Sequence, residues 1–208
     1  PAAWGSASAR VARAQGARLA KDVEEGGIAG DGAAWVESAR SAALRHLAGA
    51  GELSAQELRE QVPELSGTLT LGVGKPWGAT VQVAPRVLTQ LGLEARVVRG
   101  SNAGHWRTSR PRWTLMESWL GEVPEPTGER EGYAALVARW LRTFGPGTAT
   151  DVQWWLGGTA GAVRHALADV GALEVTIDAG GTAWVLPDDP VVTGEAEPEI
   201  APWAALLP

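Results

Sequence analysis

Around Leu91 a helical pattern stops and passes, with no linker, into two short strand patterns carrying Arg96, Arg99, Arg107, Arg110 and Arg112. The stripe Val87, Leu88, Leu91 predicts a helix over 84–93, with Pro85 near its start, where a missing N–H costs little, and Gly92 as its stop. A hairpin is then predicted, 95–98 pairing with 105–108 across the Gly-containing stretch 100–104. Alternation along the second strand would turn Trp106 inward and Arg107 to solvent. The same order of signals returns later in the chain. A helical pattern ends at Gly171, strands are expected over 173–177 and 183–186, Gly180-Gly181 turn between them, and Trp184 sits in the returning strand as Trp106 does in the first.

The two copies extend upstream. Residues 33–47 place Trp35, Val36, Ala39, Ala43, Leu44 and Leu47 at helical intervals, and residues 133–144 form a comparable amphipathic helix. Each is followed by a glycine stop and a short capped helix. Ser54 with Glu57 three residues on has capping-box spacing, and Thr148 or Thr150 caps its counterpart. The first copy carries extra residues over 65–81, whose Gly, Thr and β-branched content predicts an irregular or short-strand insertion. Gly72, Gly74 and Lys75 lack the spacing of a phosphate loop.

Three helices followed by a two-stranded wing describe a winged helix-turn-helix, so the expected fold is α+β, mainly helical, with tandem winged helix-turn-helix units. The expected division is an incomplete leading segment 1–32, a first unit 33–120 with its insertion at 65–81, a linker 121–132, a second unit 133–190 and a C-terminal tail 191–208 leading to a missing region. A weak helix is expected over 10–21, interrupted by Gly16, and 113–120 is expected to be a connecting element. The chain starts without Met and ends on an apolar stretch, so a fragment is expected.

Charge is distributed unevenly. The net charge is −6, yet six arginines lie between Arg86 and Arg112 against the single Glu94, while Glu174 to Glu199 holds seven acidic residues and no Lys or Arg. Non-specific DNA affinity needs clustered cations, so only the first wing qualifies. Arg86, Arg96, Arg99, Arg107, Arg110 and Arg112 are the candidate DNA-binding residues, because guanidinium groups fork onto phosphate oxygens. The competing reading of the same arginines is a solvated wing face. The acidic second wing would be repelled by a duplex, leaving its unit to pack on another part of the full protein or to use only Arg164 and His165 of its third helix.

Cysteine is absent, which excludes disulfides and thiolate metal sites, and three scattered histidines offer no zinc spacing. No metal or cofactor is expected. No apolar run would span a membrane and no signal peptide is evident, so a cytoplasmic location is expected. Asp151 is read as a first-turn helix residue rather than an acid catalyst, and His105 as a polar wing residue. Adjacent Trp154 and Trp155 should point about 100° apart, one into the core and one toward an interface.

The run Arg107-Thr108-Ser109-Arg110-Pro111-Arg112-Trp113-Thr114, followed by Phe144-Gly145-Pro146-Gly147-Thr148-Ala149-Thr150-Asp151-Val152-Gln153-Trp154-Trp155, resembles the winged-helix family that includes the AlkZ-like DNA glycosylases. The resemblance covers most of 33–208. It implies consecutive winged helices, double-stranded DNA as partner and, in some members, excision of alkylated or crosslinked bases. Those enzymes carry a catalytic Gln-x-Gln or Gln-x-Asp motif in their first winged helix. None of Gln15, Gln56, Gln61, Gln82, Gln90 and Gln153 forms it, so no catalytic residue is assigned here. The alternative is a non-catalytic winged-helix regulator or protein-interaction scaffold.

Overall fold

The computed structural model describes residues 9–194 except Val73, Trp77, Trp106, Val123, Pro124 and Ala179. The expected packing of Trp106, the start of the leading segment and most of the tail lie outside the described residues. The architecture is α+β and mainly helical, with small antiparallel sheets. The chain divides into two compact units, Pro1–Gly132 and Tyr133–Pro208.

In the first unit α1 (Ala9–Glu25) precedes α2 (Gly32–Ala50), β1 (Leu53–Ser54) and α3 (Ala55–Gln61). A 3-10 turn, Pro63–Leu65, leads to β2 (Thr68–Leu71) and β3 (Ala79–Gln82), then α4 (Val83–Leu93), β4 (Val97–Asn102), β5 (Pro111–Leu115) and α5 (Met116–Leu120). The stretch read as an insertion is the antiparallel β2–β3 hairpin, with Leu69 fully buried in the core.

The leading segment is no mere preamble. α1 buries Ala12, Leu19 and Val23, and Leu19 and Val23 join the core with Leu47, Leu58, Leu88, Leu91 and Trp113. Gly16, which weakens a helix taken alone, sits where α1 packs closely on α4: a Cβ there would lie 3.1 Å from the Gln90 amide nitrogen. Asp31 caps α2 by accepting from Ala34 N at 2.9 Å.

Three corrections concern the wing. α4 ends at Leu93, as expected, but the left-handed residue that turns the chain is Ala95, with φ 54°, and not Gly92. The returning strand is Pro111–Leu115 rather than 105–108. Trp113, Thr114 and Leu115 are therefore buried strand residues, not a connector. The cause is non-local: β5 is the centre of a three-stranded sheet, pairing with β4 on one side and on the other with Leu53–Ser54, sixty residues away in sequence.

The second unit also has three helices followed by a two-stranded hairpin. α6 (Glu129–Phe144) begins inside the stretch expected to be linker, followed by α7 (Ala149–Leu156), α8 (Ala160–Asp169), β6 (Leu173–Thr176), β7 (Thr182–Val185) and α9 (Pro190–Thr193). The residue before the helix cap bridges the returning strand in both units, Leu53 to Trp113 and Gly147 to Trp184. Both caps are full capping boxes, Ser54 with Glu57 and Thr148 with Asp151. Tyr133, Val137, Trp140, Leu141, Val152, Val163, Leu167 and Val185 form this unit's core.

The turn from helix to hairpin has the same hydrogen bond in both units. Arg96 N donates to Leu91 O and Ala172 N to Leu167 O, both at 2.9 Å, so Ala95 corresponds to Gly171. Both residues are left-handed, φ 54° and 63°. Gly171→Ala should cost the second unit about 1 kcal/mol, from backbone strain alone, because the nearest atom to its Cβ would be Pro187 Cγ at 3.8 Å. Ala95→Gly should change little, since relief of strain is offset by removal of a buried methyl and by extra freedom of the unfolded chain. Urea denaturation of each variant checks both values.

Candidate nucleic-acid interface

The wing projects from the three-stranded sheet of the first unit. β4 and β5 pair at Val97–Leu115, Val98–Thr114 and Arg99–Trp113, then resume at Asn102–Pro111. Beyond that pair the tip is clamped by one side chain: Asn102 Nδ2 donates to Thr108 O at 2.9 Å, and Arg110 N donates to Asn102 Oδ1 at 2.7 Å. Ala103 N donates to Arg110 O at 2.9 Å, and Thr108 N to His105 O at 2.7 Å. His105 Nδ1 accepts from Arg107 N at 3.3 Å, which makes His105 a structural residue of the tip. An eight-residue connection is long for a hairpin, and these bonds give it a defined path.

The six candidate arginines fall into two groups. Arg96, Arg99, Arg107 and Arg110 are exposed. The Arg99 guanidinium lies over the Trp113 ring, 5.3 Å from its centroid, which holds the charge near the face of the wing. Arg86 and Arg112 are engaged inside the unit. Arg86 pairs with Asp22 of α1 at 2.6 Å, with both side chains about one-fifth exposed or less. Arg112 donates to Glu52 O at 2.5 Å and pairs with Glu57 at 3.2 Å.

Arg86 marks a wider point. In α4, Val83, Ala84, Val87, Leu88, Gln90 and Leu91 are all buried, because α1 packs against it in addition to α2 and α3. Only a narrow strip including Pro85 and Thr89 is exposed. The accessible cations therefore belong to the wing and to its base.

Two residues that sequence reasoning passed over organise this surface, Asn102 and Glu52. Asn102 carried a signal, since Asn bonding back to its own turn is a recognised device. Glu52 carried none beyond its place two residues before a capping serine. The Ser101 hydroxyl and N–H, and more weakly the charge of Arg112, hold the Glu52 carboxyl below the ordinary glutamate value. The Ser54 N–H and hydroxyl act likewise on Glu57, and the Thr148 hydroxyl and N–H on Asp151. Asp151 is thus a capping carboxylate held ionised.

The second unit offers different chemistry. Phe144 and Trp155 stack with centroids 5.3 Å apart, Trp154 meets Trp155 edge-on at 6.1 Å, and Trp140 lies 5.7 Å from Phe144. Trp154 is 78% exposed, Trp155 57% and Phe144 52%, so neither adjacent tryptophan enters the core. α7 spans only eight residues and buries Val152 alone, which leaves the following Trp pair outside. Charge separates the units as well. Fifteen basic and fifteen acidic residues balance in Pro1–Gly132, whereas Tyr133–Pro208 has three basic and nine acidic. The second unit carries the whole net charge.

Among the described residues no group of three or more His, Asp or Glu side chains is gathered to hold a metal ion, and no helix is long and apolar enough to cross a membrane.

The surface so defined is a cationic hairpin on a helical frame. The DNA glycosylase AlkZ-like family matches residues 2–208, and the chain belongs to that family. Among solved structures it is similar to Streptomyces sahachiroi DNA glycosylase AlkZ, at 21% identity and a TM-score of 0.49, over 73% of this chain and 39% of that one. The chain thus spans well under half the length of that structure. No curated protein sequence matches it.

Proposed function

We propose that the chain is a DNA-binding tandem winged-helix segment of a DNA repair glycosylase, in which the first wing grips the phosphate backbone of double-stranded DNA through Arg96, Arg99, Arg107 and Arg110. The observation that carries this is the clamped tip, which presents exposed arginines on an ordered hairpin. Three helices followed by a hairpin occur in 33–120, where β1 and the β2–β3 hairpin are interposed, and again in 133–190, where an isolated bridge at Gly147 stands in place of β1; this order supports the winged-helix assignment. The buried face of α4 favours wing-led over helix-led contact, and hence backbone contact over base reading. Chemistry is not assigned to this chain, which has no Gln-x-Gln or Gln-x-Asp motif; its role is to hold the duplex. A place among the cell's DNA, in the cytoplasm of a bacterium, goes with this reading.

A titration of fluorescent duplex DNA at two salt concentrations tests it. Four phosphate contacts give a salt slope of about −3.6, so affinity should fall about 150-fold from about 50 mM to about 200 mM salt. No binding at the lower concentration would sink the reading for this chain.

A second reading belongs to the second unit, and the aromatic face favours it: a protein-interaction surface. Asp151, Trp154 and Trp155 share one face of α7, three and four residues apart, on the acidic unit. That face suits a protein segment presenting arginine among apolar side chains, through cation–π and ionic contact, and repels a polyanion. A W154A/W155A double variant should bind duplex DNA as the parent does while losing about tenfold in affinity for a synthetic arginine–leucine helical peptide. Loss of DNA affinity with the peptide unaffected would assign the face to nucleic acid instead.

A further inference from the structure

The wing bends where its ladder skips. Between the pairs Arg99–Trp113 and Asn102–Pro111, two residues of β4, Gly100 and Ser101, stand against the single Arg112 of β5. An extra residue on one strand forms a β-bulge, which kinks that strand and increases its twist. The direction in which the tip leaves the sheet is therefore set at Gly100–Ser101.

Glu52 holds both strands at this point. Its carboxylate accepts from Ser101 N at 3.3 Å and from the Ser101 hydroxyl. Gly100 is glycine because a Cβ there would collide with the same carboxylate and sit 3.2 Å from the Trp119 ring. On the opposite strand, Arg112 donates to the Glu52 carbonyl at 2.5 Å. One residue thus meets the bulge with its side chain and the facing strand with its backbone.

A carboxylate at the root of a cationic wing is unfavourable for a DNA-binding surface when judged by charge alone. We infer that Glu52 is a positioning residue: it fixes the angle of the bulge, and through it which phosphates Arg107 and Arg110 can reach. The inference rests on the wing being the DNA contact, and it separates charge from geometry in a way that two substitutions resolve. Glu52→Gln keeps the shape, an oxygen that accepts from Ser101 N and an amide that donates to the Ser101 hydroxyl, while removing the charge. Glu52→Ala removes the charge and the pin together.

If Glu52 acted only as a surface charge, both variants would bind duplex DNA more tightly. If it positions the wing, E52Q tightens binding about twofold at low salt, as expected for one like charge removed at the rim. E52A instead weakens it about tenfold, and its salt slope shrinks by about 0.9 for each phosphate that the wing no longer reaches. A loss of stability alone would leave that slope unchanged in the folded fraction. Amide hydrogen exchange without DNA gives an independent readout. Exchange at Ser101, Asn102 and Arg110 should quicken in E52A and stay parental in E52Q. Parental exchange in E52A, or tighter binding by both variants, would overturn the inference. Failure of the parent to bind DNA, with exchange responding as expected, would instead count against the wing as the DNA contact and leave Glu52 a device of the fold alone.

Discussion

Gly147→Ala is expected to unfold the second unit at temperatures where the parent is intact. A Cβ on Gly147 would fall against the Cζ3–Cη2 edge of the Trp140 ring, well inside van der Waals contact. The ring cannot easily yield, because Trp140 is 8% exposed and packs against Phe144, with ring centroids 5.7 Å apart. Nor can the backbone. Gly147 N donates to Trp184 O at 3.1 Å and its carbonyl accepts from Trp184 N at 2.8 Å, tying the glycine to the returning strand. Overpacking a well-filled core costs about 1–3 kcal/mol and occasionally more, and this site has both neighbours fixed, so about 3 kcal/mol is expected. For a unit of this size each kcal/mol lowers Tm by about 4–8 °C, a fall of about 12–24 °C in all. Thermal circular dichroism with tryptophan fluorescence reads it. Gly49→Ala is the control, because its Cβ meets nothing within 4 Å, and in a helix the change should be neutral or stabilising by up to about 1 kcal/mol. Parental melting of Gly147→Ala would show that Trp140 has room to move.

The same contacts explain why Phe144-Gly145-Pro146-Gly147 is a motif. A Cβ on Gly145 would lie 2.5 Å from the Leu141 carbonyl oxygen, so the first glycine is required by the end of its own helix and the second by the ring that covers it. The aromatic that opens the motif is about half exposed and stacks on Trp155 at the surface. Half of the motif serves folding and half serves the surface.

Local chemistry was legible in the sequence and long-range pairing was not. The capping box at Ser54 could be read because its bonds span three residues, whereas for its counterpart the sequence left Thr148 and Thr150 open, and Thr148 carries the box. The register was not legible, since Gly92 looks like a helix stop, whereas the left-handed residue is Ala95, held there by surroundings that bury it. Pro111-Arg112 resembles loop, and only its pairing with distant Leu53–Ser54 makes it a central strand. The arginines show the limit most clearly. Nothing near Arg86 or Arg112 in sequence distinguishes them from Arg107 and Arg110; Asp22 and Glu52 do so from 64 and 60 residues away.

That division makes the largest effect on binding specific. A triple reversal, R96E/R107E/R110E, should leave folding within about 0.5 kcal/mol of the parent, since exposed substitutions away from buried contacts rarely do more. DNA binding should nearly vanish. Of a slope near −3.6, about 2.7 would go with the three reversed arginines, and the carboxylates that replace them would add repulsion. R86E and R112E should behave in the opposite manner. Each would set a carboxylate against an acidic partner, Asp22 or Glu57, and should lower Tm before it changes salt dependence. Arg99 is left in place because its cation lies over Trp113, where its loss would mix packing with charge. Comparing melting temperature with salt slope across the three variants tells a wing that grips phosphates from one that is merely solvated. In the second case the triple variant would bind DNA as weakly, or as well, as the parent at every salt concentration.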